Sequence, residues 1–259
     1  MNPFTLSVAR AASEVEAALP VSFDFVSMAA DLRSGLTGFM FANSRQIHSA
    51  QTTPHPRLAE IVAKHLLMPF RRAPSAHGRA AFESVVARLR GPFVLDADCG
   101  TSASTLALAQ RFPHSTVLGV DKSAARLAIG RRALAHEDAP RNAVLLHCEL
   151  VDFWQLAAQA GLRCERQFLL YPNPWPKPEH LKRRWHAHPV LPALLALGGS
   201  IELRTNWDVY AEEFAAALRS AGRQGLREAC VPDEPLTPFE RKYQASGHAL
   251  WRVLSPLTV

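Results

Sequence analysis

The densest chemistry in the chain lies in Tyr171-Pro172-Asn173-Pro174-Trp175-Pro176-Lys177. This stretch follows the apolar run Gln167-Phe168-Leu169-Leu170 and leads into His180-Leu181-Lys182-Arg183-Arg184-Trp185-His186. Three prolines in five residues cannot continue a strand or enter a helix, so they stiffen the loop they occupy. One amide, two aromatic rings and a dense group of cations in such a loop suit a planar base on a phosphate chain. Acidic residues form a second set. Asp96, Asp121 and Glu149 each close, or lie just past, a short apolar run. An acid that ends a second strand about 20 to 25 residues after a glycine turn is placed to accept both ribose hydroxyls of an adenosine. Asp121 occupies that place after Gly100, and Glu149, one strand later, would reach the adenine amino edge. Each is also an ordinary helix-start acid favoured by the helix dipole; their recurrence at three successive strand ends is what points to a ligand.

The elements that must position these residues begin at Gly91-Pro92. Short apolar strands are expected at Phe93–Leu95, Thr116–Val120, Ala143–Leu146 and Gln167–Tyr171, with helices at Ser102–Arg111, Ser123–Leu134 and Asp152–Ala160 between them. Such alternation predicts an α/β fold, a doubly wound Rossmann-like and mostly parallel sheet that binds ligands beyond the carboxyl ends of its strands. Gly198-Gly199 leads into a strand at Ser200–Arg204, and Asp208–Ser220 is an amphipathic helix through Tyr210, Phe214 and Leu218. Gly225–Val231 and Ala249–Leu254 would be the closing strands. Between them Pro232–Gly247 reads as a long loop, and loops of that length are more often functional than idle. Upstream, Leu58, Ile61, Val62, His65 and Leu66 have helical spacing after Pro54 and Pro56, and Ala80–Arg90 reads as another helix. The chain therefore divides into a poorly ordered N-terminal tail over 1–44 and a domain over 45–259 with N-terminal helices. Ala11–Leu19 would make a short helix in that tail, and Met28 and Met40 are alternative starts. Glu14, Glu16, Asp24 and Asp31 argue against a targeting peptide.

At 259 residues, with 48% hydrophobic content, the chain can bury a full core within one large domain. A net charge of +6 and a pI near 9.5 suggest an anionic partner. The clustering of Arg71-Arg72, Arg131-Arg132 and Lys182-Arg183-Arg184 is the stronger sign. Cys99, Cys148, Cys164 and Cys230 are widely spaced, which favours free thiols in a reducing, cytoplasmic setting over a disulfide framework or zinc site. His180, His186 and His188 are interleaved with Lys and Arg that would repel a cation, so no metal site is expected. No apolar stretch reaches the ~18 residues of a membrane span.

Asp96-Ala97-Asp98-Cys99-Gly100-Thr101-Ser102 resembles the first motif of class I S-adenosylmethionine-dependent methyltransferases. The proline loop and its basic tail resemble the tRNA (guanine-N7)-methyltransferase family, of which this chain looks like a divergent member. The likeness extends to Gly198-Gly199 with the strand that runs into Thr205-Asn206 before Tyr210, and to Thr237-Pro238-Phe239-Glu240 with Gly247-His248. It covers roughly Phe93 to Val253, and the proline loop is its most specific part.

That resemblance implies methyl transfer from S-adenosylmethionine to N7 of a guanosine in tRNA, by a monomer or homodimer acting alone or with an accessory subunit. It implies cofactor-binding positions at Asp96, Gly100, Asp121, Glu149 and Asn173, with Asn173 between cofactor and target guanine. It implies substrate-binding positions at Lys177, His180, Arg183, Asn206, Thr237 and Glu240, with Glu240 an acceptor for the guanine N1 and N2 edge. The chain departs from the family where Asp98 and Ser102 replace glycines and where Asn173 and Asn206 replace aspartates. Glycine serves unusual dihedrals and close approach, whereas an amide keeps an aspartate's shape and loses its charge. Two other readings stand beside the first. One is a non-catalytic RNA-binding relative with a degenerate cofactor motif. The other is an exocyclic-amine N-methyltransferase, suggested by Asn173-Pro174-Trp175.

Overall fold

The fold was read from a computed structural model that describes residues 44–45, 51–89, 91 and 93–257. Of the tail expected over 1–44, residues 1–43, with the helix at Ala11–Leu19 and the starts at Met28 and Met40, lie outside the described residues. The described chain begins with helices α1 (Leu58–Leu67) and α2 (Ala76–Val85), the latter running into a 3-10 turn at Val86–Leu89. Five strands follow in alternation with helices: β1 (Phe93–Ala97), α3 (Ala103–Arg111), β2 (Thr116–Asp121), α4 (Ala124–Leu134), β3 (Ala143–His147), α5 (Leu150–Gln159), β4 (Arg166–Leu170), α6 (Leu191–Ala196) and β5 (Ser200–Thr205). Helix α7 (Asp208–Ser220), β6 (Leu226–Ala229), α8 (Pro238–Ala245) and β7 (Trp251–Ser255) complete the order.

The strands form one seven-stranded sheet in the order β3-β2-β1-β4-β5-β7-β6. β1 to β5 run parallel, and β7 runs antiparallel between β5 and β6. Both faces of the central strands are buried, as expected of apolar runs such as Phe93-Val94-Leu95. Alternate side chains go to opposite cores. Phe93, Leu95 and Ala97 join Phe82, Trp154 and Phe214 on one side, while Val94 joins Leu108 and Ala109 of α3 on the other. This alternation points Asp96 towards α3, where its Oδ2 accepts from the hydroxyls of Ser104 (2.7 Å) and Thr105 (2.6 Å).

Two further segments matter for the site. The segment over Pro232–Gly247 is not all loop, because α8 occupies Pro238–Ala245. Thr237 caps it by accepting from the Glu240 amide (3.0 Å), and Pro238 sits in its first turn. This Ser/Thr-x-x-Glu start was legible in the sequence. The basic arm after the proline loop forms 3-10 turns at Pro178–Arg183 and Trp185–Ala187. Helix α1 secures that arm, since Leu58, Ile61 and Val62 pack with Leu181, Ala187 and Leu191.

Candidate functional site

The carboxyl ends of β1 to β4 open onto a cavity of about 540 Å³, a size ordinary for a small-molecule site. Its walls bring together Asp98 and Gly100 after β1, Lys122 and Arg126 after β2, Glu149 after β3, and Tyr171, Asn173 and Trp175 after β4. Arg183, Trp185 and His188 of the arm and Thr237 and Phe239 of α8 close the remaining side. Five of the expected site residues, Gly100, Glu149, Asn173, Arg183 and Thr237, therefore share one cavity.

The turn after β1 is built on left-handed backbone. Asp98, Gly100 and Ser102 have φ of 56°, 58° and 69°. Both replaced glycines thus keep the dihedral that glycine serves, one that aspartate tolerates better than most residues. The Ser102 side chain does not enter the cavity. It is fully buried against α4, where a Cβ on Gly130 would lie 2.4 Å from its Oγ. Asp98 does line the cavity. Its Oδ2 accepts from the Trp185 indole N–H (3.2 Å), and burial, with the nearby Asp121 charge, pushes its carboxyl up to about 6.

Asp121 lies just behind the wall, fully buried. Oδ2 accepts from the Gly100 amide (2.9 Å), and Oδ1 accepts from the Ser123 amide (2.7 Å) and pairs with the half-exposed Arg126 (3.2 Å). This carboxylate therefore ties the β1 and β2 turns together while Oδ2 keeps one lone pair. Glu149 precedes α5, exposed, with no side-chain capping bond. Asp96 stands beneath the cavity. Among the described residues its Oδ1 is buried without a hydrogen-bond partner, and burial raises the carboxyl to about 6 despite the Thr105 and Ser104 hydroxyls.

The proline loop is held at both ends. Tyr171 and Trp175 adopt φ of 54° and 44°, strained values for aromatic residues that persist only when their surroundings fix them. Tyr171 donates its amide to the Arg204 carbonyl (2.8 Å) and its hydroxyl to Glu240 (3.0 Å). The Trp175 amide donates to Asn173 Oδ1 (3.1 Å), and its carbonyl accepts from Arg184 Nε (3.2 Å) and Nη2 (3.0 Å). Asn173 is exposed, with its side-chain NH₂ directed to no protein acceptor among the described residues. The Arg183 guanidinium lies 4.7 Å over the Trp175 ring and His180 meets that ring edge-on at 5.6 Å.

Other expected contacts fall elsewhere. Glu240, expected at the guanine edge, is fully buried; it accepts from Arg204, Tyr171 and the Leu236 amide (2.7 Å), and so joins α8 to β5 and the proline loop. Asn206 is half-buried and bonds to His248 Nδ1 (3.2 Å), and Lys177 is exposed beyond the cavity wall. The cation cluster divides, with Lys182 and Arg183 exposed but Arg184 buried against Glu213. Sequence reasoning missed Trp185 and His188. Burial, with Arg72 and His65 adding to it, holds His188 down to about 4, so it faces the cavity neutral with Nδ1 accepting from the Val190 amide. No spacing signals these two residues, because the chain reaches the cavity there through irregular turns.

Residues 90–253 match the sequence profile of the family Methyltransf_4, described as "Putative methyltransferase". A tRNA (guanine-N(7)-)-methyltransferase from Shigella boydii serotype 4 (strain Sb227) is 30% identical over 173 residues, 63% of this chain and 71% of the relative. One from Treponema pallidum (strain Nichols) is 33% identical over 169 residues, 61% of this chain and 64% of the relative. Among solved structures, the 16S rRNA methyltransferase KamB has a TM-score of 0.51 at 17% identity, covering 73% of this chain and 96% of that one. A variant 16S rRNA (adenine(1408)-N(1))-methyltransferase with cosubstrate SAM, from Catenulisporales acidiphilia, has a TM-score of 0.50 at 16% identity, covering 74% and 96%. These likenesses to solved structures concern the fold.

Proposed function

The chain belongs to the Methyltransf_4 methyltransferase family, and from that premise we propose that it transfers a methyl group from S-adenosylmethionine to N7 of a guanosine in tRNA, the reaction named for its sequence relatives. The observation that carries this reading is the convergence of Gly100, Glu149, Asn173 and Arg183 on one cavity at the strand ends. The residues present fit the cofactor. Asp121 Oδ2 retains an acceptor site for ribose, Glu149 offers an exposed carboxylate one strand further on, and Asp96 Oδ1 is a buried acceptor with no partner among the described residues.

When bound, S-adenosylmethionine supplies an electrophilic methyl group on a sulfonium. The protein's task is then alignment. Guanine N7 carries a lone pair and gives up no proton, so the site needs no strong base, and alignment of this kind can contribute about 7 to 11 kcal/mol. Asn173 would set the guanine: its Oδ1 is held by the Trp175 amide, which leaves the NH₂ to donate to the O6 beside N7. Phe239 and the Arg183-covered Trp175 flank the opening, and Lys177, Lys182 and Arg183 would hold tRNA phosphates. His180 would keep Trp175 in place from its edge, Thr237 and Glu240 would shape the substrate side through α8, and Asn206 would support them through His248. The four cysteines are free and buried, which agrees with a cytoplasmic setting.

The experiment is methyl transfer from labelled S-adenosylmethionine to tRNA lacking 7-methylguanosine, with digestion and identification of the labelled nucleoside. Label in 7-methylguanosine is expected. Label in an exocyclic N-methylnucleoside would replace this reading with the amine one, and tRNA binding without label would replace it with the non-catalytic relative.

A further inference from the structure

Asp98 stands where related first motifs carry a glycine, and the cavity has given its side chain a defined setting. Its backbone is left-handed at φ 56°, and the residue lines the cavity. One carboxylate oxygen is fixed by an indole N–H from the arm, Trp185 Nε1 at 3.2 Å, across 87 residues of sequence. Among the described residues the other has no hydrogen-bond partner, and no cation forms a salt bridge with this carboxylate. An anion half-satisfied by the fold and open on its other side is arranged to receive a cationic donor.

The order of the strands says which part of the cofactor comes near. Ribose at Asp121 on β2 and adenine at Glu149 on β3 leave the methionine portion to run the other way, over β1 and β4, where Asp98 and Asn173 lie. That portion ends in an α-ammonium and an α-carboxylate. Asp98 would repel the carboxylate, which therefore points away from it. We propose that the Asp98 carboxylate, oriented by Trp185, receives the α-ammonium of the cofactor's methionine portion, a contact that a glycine side chain could not make. Asp98 is then a specificity residue for the amino-acid end of the cofactor rather than a lesion in the motif. This inference rests on the cofactor reading above.

The test is isothermal titration of the full chain at pH 8 with S-adenosylhomocysteine, which lacks the sulfonium but keeps the ammonium, and with its analogue lacking the α-amino group. Asp98→Asn is the informative variant. Asparagine tolerates the same φ and still accepts from Trp185, so the turn is preserved, and an unchanged melting temperature reports that it is. The expected result is about a tenfold loss of affinity for S-adenosylhomocysteine in Asp98→Asn, with affinity for the deaminated analogue unchanged. Asp98→Gly should lose the same discrimination. Equal or tighter binding of S-adenosylhomocysteine by Asp98→Asn overturns the proposal, as does an equal loss for both ligands, which would make Asp98 a shaper of the cavity. A wild-type chain that binds neither ligand overturns the cofactor reading itself, and this proposal with it.

Discussion

Ser102 shows how a replaced glycine can be absorbed without cost to the cavity. Its hydroxymethyl group turns into α4 and occupies the space that Gly130 leaves, so two departures from ordinary helix and turn composition compensate each other. Gly130→Ala should bring a Cβ within 2.5 Å of Ser102 Cβ, contact that neither partner can relieve by rotation. Overpacking of this kind costs about 1 to 3 kcal/mol in denaturant unfolding. Adding Ser102→Gly should recover most of that loss, and the alanine's helix propensity, up to about 1 kcal/mol, adds to the recovery. A double variant no more stable than Gly130→Ala would break the link between the two positions. Among the cations, Arg183 is exposed and Arg184 is buried, so only the first can meet phosphate. Arg183→Ala should weaken tRNA binding and lower the slope of log affinity against log salt by about one, and an unchanged slope would remove it from the interface.

At the level of elements, the proline loop is a strained segment fixed by two buried ion pairs. Glu240 on α8 holds the Tyr171 end through Arg204 and its own acceptance from the Tyr171 hydroxyl. Arg184 holds the Trp175 end, bridging that carbonyl to Glu213 on α7 and to Gln51. Prolines restrict the loop's conformations, but they do not choose among them; the two arginines do. Arg184→Ala strips a buried carboxylate of its cation and frees the Trp175 carbonyl, which should cost about 3 to 5 kcal/mol in unfolding measurements. Arg184→Lys keeps the charge but cannot span Glu213, Gln51 and the Trp175 carbonyl together. It should therefore retain much of the stability while kcat falls more than the cofactor's affinity. Equal losses in both would mean that Arg184 serves the fold alone.

Across the whole molecule, Glu213 is the point where the chain's distant parts meet. It accepts from Gln51 Nε2 (2.7 Å) and the His55 amide (2.8 Å) ahead of α1, and from Arg184 and His186 (3.0 Å) in the arm. Burial alone would raise its carboxyl; hydrogen bonding from His186 and the His55 amide, with the Arg184 charge, holds it instead at about 2, below an ordinary value of 4.5. A lowered folded-state value means stability that is present above about pH 4.5 and lost as pH falls towards 2. Asp96 and Asp98 act in the opposite sense. Raised to about 6, they favour the fold at acid pH and lose that contribution as pH rises through about 6. Below about pH 4 the Asp96 and Asp98 contributions are complete and Glu213 alone of the three still titrates, so melting temperatures should fall from pH 4 to pH 2 in the wild type, and Glu213→Gln should be less stable throughout with a shallower fall. An unchanged fall in the variant would assign acid sensitivity to other carboxylates.

The order of strands and helices followed from local patterns, because apolar runs, glycine turns and helix-start acids are properties of neighbouring residues. The strand-end acids at Asp96, Asp121 and Glu149 and the proline loop at Tyr171 to Lys177 were legible for the same reason. The helix at Pro238–Ala245 was equally local in its capping signal, although its length of chain reads first as a loop. What the sequence alone determined was thus the family of sheet and the places where chemistry gathers. Tertiary structure decided which groups are spent on the fold and which remain free. Glu240 and Arg184 have the residue types of substrate contacts, yet both are consumed by partners between 4 and 133 residues away. Asp98 looked like damage to a glycine motif, yet an indole 87 residues on leaves it oriented in the cavity. Charge and hydrogen-bonding capacity are written in the sequence, but burial and pairing depend on contacts between distant segments, which only the packed chain defines.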